Sequence, residues 1–366
     1  VLGSPPDDSV RNRRSSGPQF DGPHRPGPGP AGRGPAPVPV PASRGAAERG
    51  AEPGPRSRRD EAVKSKDRRR ARGGDEPEPE GEDGPPVEIV PVRRLLSAAV
   101  AGFALLLGVG LVMGAQTAGV GTGRIPYAVV ILGAQLLYVF ATTMAIRPPG
   151  VKVVAVVGVV AAISADVVAI TSDVASVGPL GLIAAGGLVA GAVGQMVRYE
   201  GRVRVSESLG STVVIVLGVV SFATLIVLTR LPAGTQAIVV CLIASGIALS
   251  VARLTDVFAP YPRLADQVPR GSAGIVIGAM LGTGVAAVIG RYLVPFTPSQ
   301  AAIIGMAAAG AAVLADLTIG FAEAGRELAG EAPTMWLARH MQGPLAGFAL
   351  AAPVAYVISV FFLVPA

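Results

Sequence analysis

The chain has 366 residues, of which 51% are hydrophobic and 15% charged, with 48 glycines, 32 prolines and a formal net charge of +6. No ordinary soluble domain combines so much apolar mass with so few charges, and the single cysteine, Cys241, excludes an internal disulfide. No Walker-type phosphate loop, HExxH, Cys/His cluster or nucleophile elbow occurs, so ATPase and zinc-hydrolase chemistry lacks support.

Residues 1–94 hold 18 Lys+Arg and 15 Asp+Glu, with Phe20 as the only aromatic. Pro/Gly-rich, basic and acidic stretches follow one another there, and none buries enough apolar area to offset the entropy of ordering it. This segment is expected to be a disordered cytoplasmic tail. Its basic tract, "RSRRDEAVKSKDRRRAR", is followed by the acidic "DEPEPEGEDGPPVE" on the membrane side. The acidic stretch offsets the attraction of the basic one for anionic lipid, so a solvated tether is the reading, with no nucleic-acid partner.

From Leu95 onward the chain changes to apolar runs of about 20 residues, the length that crosses a hydrocarbon core as a helix. The fold class expected is all-α: a polytopic bundle of nine transmembrane helices in a domain spanning 95–366. The runs are 95–116, 126–146, 151–171, 177–197, 211–229, 236–251, 272–293, 300–320 and 343–364, the sixth being short. Positive charge is retained on the cytoplasmic side. An inside N-terminus places Arg93, Arg94, Arg147, Lys152, Arg198, Arg202, Arg204, Arg253, Arg263, Arg270, Arg326 and Arg339 inside, against Arg124, Arg230 and Arg291 outside. The C-terminus is then outside, in a cell membrane, and the long inner loops are 198–210, 252–271 and 321–342. Small residues at four-residue spacing, Gly274, Gly278 and Gly282 above all, with Gly187 and Gly191 and with Gly110 and Gly114, predict close helix packing within the bundle.

Ionisable groups inside membrane segments are costly, and each is a functional hypothesis. Asp166 lies about 20 Å from the inner end of its helix and Asp316 about 6 Å from the inner end of its own, at 1.5 Å per residue, so the two do not pair. Asp166 is read as facing a wet outer vestibule. If its helix continues past Gly320, Asp316, Glu323 and Glu327 fall within about 40° of one another, with Glu331 slightly further round. Mg²⁺ takes carboxylate oxygens so arranged, although a solvated acidic face is the plainer account, and Gly320, Gly325 and Gly330 weaken the helix. No other cofactor is expected. "PTMWLARHMQ" suits an interfacial helix, with Trp336 at headgroup level beside Arg339 and His340.

Nine helices, an inside N-terminus, "ADL" at Ala315–Leu317 and "AAPV" at Ala351–Val354 give the chain a resemblance to the phosphatidate cytidylyltransferase family. "PRLADQVPRGSAGIVIG" over 262–278 also resembles the inner loop before that family's seventh segment. The resemblance implies the family's scaffold and, were the chain active, a CTP-dependent nucleotidyltransferase acting on phosphatidic acid. Laid without a gap, however, the family's K-R falls on Glu323-Ala324, its K-D on Ala329-Gly330, its H-G-G on Ala338-Arg339-His340 and its D-R-x-D on Gly343–Ala346. Only Asp316 keeps its identity. The expectation is a pseudoenzyme with no catalytic residues, which binds a phospholipid or a membrane-protein partner within the lipid bilayer. The alternatives are a secondary transporter using Asp166 and Asp316, and a phospholipid-synthesis enzyme with a substituted metal site.

Overall fold

The computed structural model describes residues 93–197, 204–293, 296–332 and 334–363, with side chains through Phe361. The expected tail lies outside the described residues except for Arg93 and Arg94, as do Arg198 and Arg202 of the first long inner loop.

Nine helices long and apolar enough to cross a membrane occur among the described residues, and the protein is a multi-pass membrane protein. They are α1 Arg94–Ala115, α2 Ile125–Ile146, α3 Val151–Thr171, α4 Gly178–Met196 and α5 Val205–Leu228, then α6 Gly234–Phe258, α7 Ser272–Gly290, α8 Pro298–Leu328 and α9 Trp336–Leu363. A 3₁₀ turn, Gly121–Arg124, leads into α2. Local signals set several ends. Thr297 and Gln300 form a reciprocal capping box at the start of α8, with Pro298 in its first turn. At its other end Gly330 adopts φ 71°, while the Gly330 and Glu331 amides donate to the Glu327 and Arg326 carbonyls, a Schellman closure.

Hydrogen bonds show which helix ends lie together. The Arg326 Nη1 donates to the Ala145 carbonyl (2.7 Å), the Ser97 hydroxyl to the Arg253 carbonyl (2.7 Å) and the Gly150 amide to Ser208 Oγ (3.2 Å) at one end of the bundle. At the opposite end Arg230 donates to Ala169, Ser172 and Asp173. Packing divides the helices into two groups, α1 with α6, α7 and α8, and α2 with α3, α4 and α5. Helix α9 lies against α8 and α6 of the first group and against α2 and α5 of the second.

The glycine face of α7 is an internal contact. A Cβ at Gly274, Gly278 or Gly282 would lie 2.7, 2.5 or 2.5 Å from the carbonyl oxygens of Ala252, Ala248 and Ala244 on α6, so the two backbones touch. Gly187 and Gly191 likewise seat α4 on Val216 and Thr212 of α5. The third pair is only half used, since Gly114 packs on Val130 whereas Gly110 faces open space.

Three expectations about element ends are corrected. The short sixth run is a helix of 25 residues, Gly234–Phe258, which takes Arg253 and Asp256 out of the inner loop and into α6. The glycines at 320 and 325 do not stop α8, because packing outweighs propensities of about 1 kcal/mol each. "WLARHMQ" is the first part of α9 and not a separate interfacial helix, so the 321–342 loop shrinks to 329–335.

Candidate functional site

Asp316 is fully buried on α8, and both of its oxygens are occupied. Arg253 of α6 donates from Nε to Oδ2 (3.1 Å) and from Nη2 to Oδ1, and Arg270 donates from Nη1 to the same Oδ2. Arg270 stands in the loop between α6 and α7 and is itself 3% exposed. Its Nε lies 2.8 Å from Asp256 Oδ2, an ion pair without hydrogen-bond geometry, and its Nη2 has no hydrogen-bond partner. Burial works against the Arg270 charge, but Asp316 and Asp256 outweigh it and hold the guanidinium above its ordinary range.

The two acids are held at close range by glycines of neighbouring elements. Asp256 Oδ1 accepts from the Gly271 amide (2.9 Å), and a Cβ at Gly274 would stand 2.9 Å from it. A Cβ at Gly343 of α9 would stand 2.0 Å from Asp316 Oδ1. Only a residue without a side chain lets α9 cross there. Four buried or half-buried charges thus tie α6, α8 and the 259–271 loop together beneath α9.

This network floors a cavity of about 280 Å³ between the start of α1, the end of α6, the 259–271 loop, α8 and the start of α9. Arg253 and Arg270 line it, with Arg93, Arg339 and His340. Leu96, Val100, Pro269 and Ile319 supply apolar wall, and Glu323, Glu327 and Trp336 border it. Trp336 is 57% exposed and meets the His340 ring edge to face, with centroids 5.5 Å apart. Arg339 donates to both Glu323 and Glu327. Set against protein-family models, curated proteins and solved structures, the chain matches none.

The acidic face expected on α8 does not come together as a carboxylate cluster. Asp316 is taken by Arg253 and Arg270, Glu323 and Glu327 are bridged by Arg339, and Glu331, beyond the end of α8, lies 3.6 Å from Arg204. Among the described residues no group of three or more His, Cys, Asp or Glu side chains is placed to hold a metal. The residues therefore do not fit a two-Mg²⁺ centre, and no step through one follows. Arg253 and Arg270, read from sequence only as topology charges, are the site's central groups.

Asp166 is also corrected. It does not face a wet vestibule but sits inside the bundle at 5% exposure, accepting at Oδ1 from Gln135 Nε2 (2.9 Å), which also donates to the Val219 carbonyl (2.9 Å). Asp166 Oδ2 and Gln135 Oε1 are buried without partners.

Proposed function

We propose that the protein is a non-catalytic lipid-binding membrane protein on a cytidylyltransferase-like scaffold, which takes a phospholipid headgroup into this cavity. The observation that carries the reading is the composition of the cavity: guanidinium groups and apolar side chains face one space at the end of membrane-crossing helices. Arginine recognises phosphate through paired N–H donors, and Leu96, Val100 and Ile319 offer the first carbons of an acyl chain an apolar surface. At about 280 Å³ the space is headgroup-sized and small for a ligand site. The non-catalytic part rests on Asp316. Asp316 accepts three hydrogen bonds from Arg253 and Arg270, and α9 crosses against its Oδ1 at Gly343, so this carboxylate is committed to the fold, whereas metal-assisted phosphoryl transfer needs carboxylates open to the ions. The positive charges support an inside N-terminus, and with it a cavity that opens at the cytoplasmic surface.

Purified full-length chain in a non-ionic detergent tests this. Trp336 is the single tryptophan and borders the cavity, so its emission reports occupancy. A saturable shift on titration with short-chain phospholipid is expected, and Gly320→Phe should abolish it. A Cβ at Gly320 meets nothing nearer than Val268 Cγ1 at 3.9 Å, so that variant fills the cavity with little strain on the fold. A response that survives Gly320→Phe, or none in the parent, overturns the reading. CDP-diacylglycerol formed from CTP, phosphatidic acid and Mg²⁺, and lost in Asp316→Asn, would replace it with the enzyme.

One observation favours a second reading, ion-coupled transport: the two partnerless acceptor oxygens of Asp166 and Gln135 inside the bundle. Ion-dependent uptake into proteoliposomes, lost in Asp166→Asn and retained in Gly320→Phe, would establish it. Asp316, paired as it is, supplies no second ion-carrying carboxylate to that pathway.

A further inference from the structure

The charges around the cavity balance. Arg253 and Arg270 face Asp256 and Asp316 at its floor, two against two. Nearer the aqueous end, Arg339 alone faces Glu323 and Glu327, and Arg93 also lines the space, with no carboxylate partner among the described residues. A headgroup with net charge would leave that charge uncompensated in a partly desolvated site, where such a group is expensive.

The charges are also ordered. Along α8 the Asp316 level, where the arginines converge, comes first. Glu323 follows about 10 Å further toward the water and Glu327 about 6 Å beyond that, at 1.5 Å per residue. An amine-bearing phospholipid presents its groups in the same order: acyl chains, then phosphate, then ammonium outermost. The floor has a donor to spare, because Arg270 lines the cavity and its buried Nη2 has no hydrogen-bond partner. At the mouth one guanidinium serves two carboxylates, which leaves acceptor capacity for an ammonium group.

Resting on the lipid-binding reading above, we infer that the cavity selects a zwitterionic headgroup, a phosphate carrying a primary ammonium, over an anionic one. The phosphate lies at Arg253 and Arg270, and the ammonium donates to Glu323 and Glu327. The same chemistry occurs in a soluble phosphoethanolamine, so the experiment separates the two sources.

Trp336 emission of the detergent-solubilised full chain is followed on titration with short-chain phosphatidylethanolamine, short-chain phosphatidylglycerol and soluble O-phosphoethanolamine. Phosphatidylethanolamine is expected to bind about ten-fold more tightly than phosphatidylglycerol and more tightly than the soluble compound. In Glu323→Gln/Glu327→Gln the order of the two lipids should reverse. The parent comparison needs no variant and so stands even if that double variant fails to fold. Equal or tighter binding of phosphatidylglycerol, or an unchanged order in the double variant, overturns the zwitterion inference and leaves lipid binding intact. Binding of the soluble compound as tight as that of the lipid keeps the headgroup chemistry and overturns the lipid. Absence of binding by all three ligands overturns both.

Discussion

Arg270 and Asp316 are 46 residues apart in the chain, yet Arg270 Nη1 donates to Asp316 Oδ2 with both side chains almost completely buried. Removing one partner of a buried pair leaves the other charge stranded, a loss of about 3–5 kcal/mol. Asp316→Asn is therefore expected to lower the midpoint of thermal unfolding in detergent sharply, whereas Glu331→Gln, at an exposed position, should leave it unchanged. Equal midpoints for Asp316→Asn and the parent would show that the network contributes little to the fold.

Gly343 is held to glycine by the same network. An alanine Cβ would fall 2.0 Å from Asp316 Oδ1, so α9 or the carboxylate must move. Overpacking of this kind costs about 1–3 kcal/mol, and Gly343→Ala should be destabilised to that extent. Gly310→Ala, whose Cβ meets nothing within 4 Å, serves as the control and should match the parent.

The contact between α6 and α7 makes a parallel prediction within one helix. Gly278→Leu places side-chain atoms against the Ala248 carbonyl and should reduce the yield of folded protein, read as the monodisperse fraction on size-exclusion chromatography. Gly284→Leu faces open space on the same helix and should behave as the parent. If the two variants behave alike, the glycine face is not what seats α7.

Much of this architecture was legible because a bilayer imposes a length. Runs such as 151–171 and 272–293 have few readings other than a membrane helix, and their cores match α3 and α7 closely. What was not legible followed from charge. Arg253 and Asp256 looked like the start of a loop because a charged residue ordinarily ends a membrane segment. Here they continue α6, since their partners arrive from Asp316 and from Arg270 in the loop ahead of α7. Period and spacing carry no record of pairs 46 and 63 residues apart. A signal for them did exist. An acid inside an apolar run demands a cation at its own depth, and Arg253 near the end of α6 and Arg270 in the loop that follows both stand at the Asp316 end. Glu331 departs from the α8 face for a local reason: the helical period does not run through Gly330, whose positive φ turns the chain away.

Membrane orientation is predicted from charge and can be tested at exposed positions, with Cys241 replaced. Val120→Cys, 90% exposed between α1 and α2, should react with an impermeant maleimide added to intact cells. Leu264→Cys, between α6 and α7, should react only after permeabilisation. The reverse pattern would invert the topology and move the arginine-lined cavity to the outer surface.

The position of α9 between the two helix groups bears on how the chain is made. A polytopic protein enters the bilayer from its N-terminal end as synthesis proceeds, so α8 is delivered before the segment that crosses it. Until α9 follows, nothing covers Asp316 with Gly343, the Trp336–His340 corner is missing, and the groups on either side lack the helix packed against both. A nascent chain stopped after α8 would thus hold α1 to α8 and no cavity. Helix α9 is then a quality checkpoint for the whole site, and a stop codon introduced before Trp336 should yield a protein that cells degrade rather than one that works poorly.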